Sequence, residues 1–120
     1  MLDKGLKLNE TDKMALELNN KIREYFGKKV DNFILSDVID DPNHRAFSVT
    51  FEMYNYFNMI LNYDRGHFGC AIINGAHHGV SLKNSQEWWD TANFNQFFKE
   101  LKDEIELRIP DKYLKAKGWK

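Results

Sequence analysis

The chain predicts one α+β domain over residues 1–120: an N-terminal helix, a four- to five-stranded antiparallel meander, and a C-terminal helix packed on the same sheet face. Three observations predict it. Residues 46–73 alternate apolar and polar with period 2, the mark of strands with one buried face. Stripes of apolar residues at helical spacing lie on either side of that stretch. The two turns inside it, 54–56 and 65–66, keep the alternating apolar set that begins at Phe47 on one face.

The first helix is read over 9–26. Asn9 or Thr11 can cap it, Glu10 and Asp12 sit in its first turn where the helix dipole favours anions, and Gly27 can end it. Met14, Ala15, Leu18, Ile22, Tyr25 and Phe26 form its apolar face. A first strand follows over 30–39. Its alternation is interrupted by the apolar triplet Phe33-Ile34-Leu35, and Asp40-Asp41-Pro42-Asn43 reads as a loop by composition.

The meander carries the sharpest expectation. With Tyr54-Asn55-Tyr56 as a three-residue loop, Met53 faces Phe57, Phe51 faces Met59, Val49 faces Leu61 and Phe47 faces Tyr63. With Arg65-Gly66 as a two-residue turn, Asp64 faces His67, Tyr63 faces Phe68, Leu61 faces Cys70 and Met59 faces Ile72. Asn55 and Gly66 are residue types that accept positive φ at such turns. The other face presents Ser48, Thr50, Glu52, Asn58, Ile60, Asn62, Gly69, Ala71 and Ile73, a mixed surface suited to protein contact.

Beyond the meander, 74–79 is turn-rich and Val80-Ser81-Leu82 reads as a short strand. Ser85 is expected to cap a helical turn through Glu87, Trp88 and Trp89. A second amphipathic helix is read over 93–108, with Phe94, Phe97, Phe98, Leu101 and Ile105 on one face, ended by Pro110. Residues 111–117 add one more turn, closed by Gly118 with Trp119 packing back.

Composition narrows the function classes. A net charge of −1 offers no electrostatic footprint for nucleic acid or an anionic membrane. One cysteine cannot form an internal disulfide, which fits a reducing compartment; no apolar run approaches a membrane span or a signal-peptide core, so the expected location is the cytoplasm. Charge is concentrated over residues 31–52, where Asp31, Asp37, Asp40, Asp41 and Glu52 face only Arg45 and leave a local balance of −4.

No residue set announces a reaction. His77-His78 are adjacent and point apart in extended chain; with His44 and His67 they lack the ligand spacing of a zinc site, so no metal is expected. Cys70 lies at an inward position between Phe68 and Ile72 and reads as a small core hydrophobe rather than a nucleophile. Asp37, Asp40 and Asp41 beside His44 read as turn formers or as a patch for a basic partner rather than an acid–base set. Trp88 and Trp89 are either core caps or interface anchors. The expectation is a protein without catalytic residues or cofactor.

The C-terminal third resembles small immunity proteins of bacterial polymorphic toxin systems, the contact-dependent growth inhibition type among them. The resemblance runs from Glu87-Trp88-Trp89-Asp90 through the helix to Leu107-Arg108-Ile109-Pro110-Asp111-Lys112-Tyr113-Leu114 and Gly118-Trp119. It implies a cytosolic inhibitor that binds a cognate toxin domain, often a nuclease, and blocks its active site. The near-neutral charge departs from strongly acidic members that mimic nucleic acid. Partner-binding residues are expected at Asp37, Asp40, Asp41, Glu52, Trp88 and Trp89. The alternative is a ligand-binding or enzymatic α+β barrel-like domain, its pocket inside the curved sheet and lined by Tyr63, Asp64, His67 and Cys70.

Overall fold

The computed structural model describes residues 9–73 and 79–120, with backbone alone for 79–87. The turn-rich segment read at 74–78, with His77-His78, lies outside the described residues.

Helix α1 (Glu10–Phe26) begins with a reciprocal cap. The Asn9 side chain accepts the Asp12 N–H at 2.7 Å, and the Asp12 carboxylate accepts the Asn9 N–H, so two otherwise orphaned donors are satisfied. Gly27 ends the helix at φ 57° with its N–H on the Arg23 carbonyl, a conformation that favours glycine. A 3-10 turn (Gly27–Lys29) leads into strand β1 (Val30–Asp41).

Strand β1 is longer than its alternation predicts, and Asp40 and Asp41 belong to it rather than to a loop. They pair across β2 (His44–Met53) with Arg45 and His44, leaving only Pro42-Asn43 as the turn. Two interruptions of the ladder explain the broken pattern. The register slips between Asp31 and Ile34 and again between Ser36 and Ile39, where Asn32 and Asp37 adopt φ of 56° and 54°. Each slip is a bulge: one extra residue turns over, and the inward–outward phase is reset. Asn and Asp enter this left-handed region more readily than other side chains. Phe33 is thereby returned to the inner face, where its ring stacks on Phe51 at 5.2 Å, and Leu35 comes opposite Val49.

Strands β3 (Phe57–Asp64) and β4 (His67–Ile73) take the expected register throughout, from Met53 against Phe57 to Met59 against Ile72. Both turns carry positive φ: Arg65 and Gly66 at 50° and 93°, Tyr54 and Asn55 at 60° and 51°. The first pair is what a two-residue hairpin with right-handed twist requires. Tyr54 is the unexpected member, since an aromatic residue rarely sits there. Its side chain is fully buried, with its hydroxyl 2.5 Å from Glu106 and its carbonyl accepting from the Tyr113 hydroxyl, so packing holds the conformation.

Strand β5 (Gly79–Trp88) replaces the helical turn expected from Ser85. Its backbone pairs with β4 from His67↔Trp88 to Ile73↔Gly79 with one irregularity, and the strand read at 80–82 is its first part. Pairing satisfies a whole row of backbone groups on β4, which outweighs one side-chain cap. The sheet order is β1-β2-β3-β4-β5.

Helix α2 (Phe94–Glu106) is capped by Asn93, which accepts the Gln96 N–H at 3.0 Å, and α3 (Asp111–Ala116) follows Pro110. Gly118 at φ 77° turns the chain so that Trp119 donates to the Leu114 carbonyl and meets Tyr54 edge-on. Leu18, Ile22 and Phe26 of α1, Phe97, Phe98, Leu101 and Ile105 of α2, and the inward positions of β2–β4 form one buried cluster. No helix among the described residues is long and apolar enough to cross a membrane.

Candidate functional site

The concentrated acidic segment resolves into residues with different duties. Asp40 points toward the start of α1, where its carboxylate accepts both the hydroxyl of Thr11, at 2.8 Å, and the Thr11 N–H, at 3.2 Å, and pairs with Arg45. The Thr11 hydrogen bond, assisted by Arg45, holds the Asp40 carboxyl below its ordinary pKa. Asp40 is thus a strut between β1 and α1, and its charge is already matched.

Asp37 and Asp41 remain exposed. Asp37 is the second bulge residue, and Asp41 accepts the Asn43 N–H at 2.8 Å within the Pro42-Asn43 turn. Glu52 lies half-buried opposite Asp31 and Asn58 on the open sheet face, apart from the 37–41 corner. The structure therefore brings Asp37 and Asp41 to one end of β1 and leaves Glu52 with Asp31 at the other.

The tryptophans divide as sharply. Trp89, partly buried, packs against the core, its ring edge-on to Tyr63, Phe68 and Phe94. Trp88 points to the open face and is 61% exposed, resting on the His67 ring and over Gly66. Trp88 ends β5 and Trp89 opens the turn that follows, its N–H on the Gly66 carbonyl, and the two rings pack on opposite sides of the sheet.

The same rule separates the residues that would line a pocket inside the sheet. Tyr63 and Cys70 are buried in the core beside Met59, whereas Asp64 and His67 lie on the other face. Burial pushes the Cys70 thiol up to about 12, far from a reactive thiolate. His44 Nε2 approaches Asp64 Oδ1 at 3.0 Å without the alignment of a hydrogen bond, so attraction there needs a protonated ring. Among the described residues no three His, Cys, Asp or Glu side chains converge as a metal site.

A surface that sequence reasoning missed lies along β1. Ile34 is 61% exposed, and Leu35, Val38 and Ile39 are also open to solvent, on a strand at the edge of the sheet. Beside it a groove of about 370 Å³ runs between α1 and the sheet, with Leu16, Asn19, Phe33, Leu35 and Val49 in its walls and Asp12 at its rim. Asn19 Oδ1 is buried and finds no hydrogen-bond partner among the described residues. The available signal was the apolar triplet at 33–35 together with Leu16, which falls off the helix's buried stripe; alternation alone cannot say which of three consecutive apolar residues a bulge turns outward.

No protein-family model, curated protein or solved structure matches the chain.

Proposed function

We propose that the protein is a cytosolic immunity protein that neutralises a cognate toxin domain by stoichiometric binding, with no catalysis or cofactor of its own. Two lines support this reading: the C-terminal resemblance set out above, and the character of the β1 edge. The second carries it. Exposed Ile34, Leu35 and Ile39 share one edge strand with exposed Asp31, Asp37 and Asp41, and no cation lies within Val30–Asp41. Apolar side chains supply contact area when desolvated, and acidic neighbours draw in the basic surface that a nuclease uses on its substrate. Trp88 is a second anchor on the open face.

The test is to sequence the genes beside this one and co-express the protein with the toxin domain that this reading expects there; neighbouring genes that encode none count against the reading. Restored growth and a one-to-one complex on gel filtration are expected. A toxin that stays lethal and migrates apart from this protein removes the inhibitor reading.

A further inference from the structure

The long edge strand and the groove beside it form one continuous surface. We infer that this surface receives an extended, cationic segment of the partner, which adds a short strand to β1 and seats an apolar side chain against Leu16, Phe33 and Leu35. The inference rests on the inhibitor reading for the partner's identity; its place and chemistry rest on the observations that follow.

An edge strand presents unpaired N–H and C=O groups, and β-augmentation uses them for affinity while pockets for alternate side chains supply selectivity. Here the two bulges divide β1. Among the described residues, 34–36 between them is a regular stretch paired to β2 alone, and the flanking bulges discourage long, indiscriminate pairing. A short added strand at 34–36 would send alternate side chains to opposite faces. One set would enter the groove beside Leu35, and the other would lie over Ile34.

Charge selects the occupant. Asp12, Asp37 and Asp41 are negative around the far end of the groove and strand. Arg45 at that end is paired with Asp40, and the other nearby cations lie at the opposite end over rings: Arg23 over Phe33 at 4.3 Å and Lys29 over Tyr54 at 5.8 Å. A cationic strand therefore finds its counter-charges toward residues 37–41. A second copy of this chain fits worse, because antiparallel pairing centred on Ile34 sets Asp31 of each copy against Asp37 of the other.

The probe is an end-blocked peptide, Lys-Val-Lys-Ile-Lys-Val-Lys, compared with its Glu-for-Lys analogue by amide-resolved NMR titration of the whole protein. The cationic peptide should shift the amides of 34–36 and the Asn19 side-chain amide. It should bind at least about tenfold tighter than the acidic one at low salt, with the gap narrowing as salt is raised. Leu35→Lys should abolish these shifts; Leu16→Ser, on an exposed helix position, is the second variant should the first not fold. Absence of binding, equal binding of both peptides, shifts confined to the open face around Ile60 and Trp88, or a dimer that Leu35→Lys dissolves would each overturn the inference. The two readings fail separately. A toxin still bound by folded Leu35→Lys protein sinks the docking place and spares the inhibitor. Peptide capture at β1 without toxin binding does the reverse.

Discussion

Thr11, fully buried in the first turn of α1, donates its hydroxyl to Asp40 at the end of β1 across 2.8 Å, while its N–H meets the same carboxylate oxygen. The Thr11 hydroxyl also lies 3.0 Å from the Ile39 carbonyl. A helix N-terminus with positive partial charge is thereby fastened to a strand 29 residues away in sequence.

Removing this tie should loosen the α1–β1 joint. Thr11→Val keeps the shape and deletes the donor to Asp40, and is expected to lower the urea unfolding midpoint. Asp40→Asn should lower the midpoint as well and flatten its acid dependence. Because the folded-state pKa of Asp40 lies below its unfolded value, the carboxylate's stabilisation is present above the unfolded pKa and is lost as pH falls through the folded one. A Thr11→Val midpoint equal to that of the parent protein would contradict the assignment.

The alkaline side belongs to Tyr54. Its hydroxyl is desolvated and faces the Glu106 carboxylate, both of which raise its pKa well above that of a free phenol. In the unfolded chain the phenol ionises normally, so the stabilisation is complete below about pH 10 and declines as pH rises beyond it. Absorbance titration of the native protein should show one of its five tyrosines ionising only as the fold is lost. Tyr54→Phe should abolish that late step and cost about 2 kcal/mol, the range for a hydrogen bond to a charged group.

Cys70 is 3% exposed and its thiol is held protonated by burial. Native protein at pH 8 should resist iodoacetamide for as long as it stays folded, and react fully in denaturant. Mass spectrometry reads both states. Prompt native alkylation would mean that β4 opens far more often than its packing implies.

The bulge at Asn32 gives opposite expectations for two substitutions. Asn32→Gly relieves a left-handed conformation and should be neutral or stabilising by up to about 1 kcal/mol. Asn32→Val forces a β-branched side chain to the same φ and should destabilise by about 1–2 kcal/mol. Thermal melts of the two variants moving in the same direction would argue against the bulge.

Much of the architecture was readable from residue order. The meander's register followed from 46–73 because alternation and turn length constrain each other: a slip of one residue would have exposed Phe51, Leu61 and Cys70 together. The first helix was equally plain, with Asn9 or Thr11 as its cap; Asn9 acts on a neighbour three residues away. Such information is local, and one dimension of sequence contains it.

What lay beyond it was settled by contacts between distant segments. That Asp40 ties β1 to α1 depended on Thr11 arriving beside it. Whether 85–88 coiled or extended depended on β4 offering an unpaired edge. The phase of β1 depended on which residues bulged to return Phe33 to Phe51, and the groove at Leu16 and Leu35 exists only because α1 crosses that strand at a distance. These outcomes turn on packing and on satisfying buried polar groups, energies that arise when the pieces meet and leave no periodic trace in either piece alone.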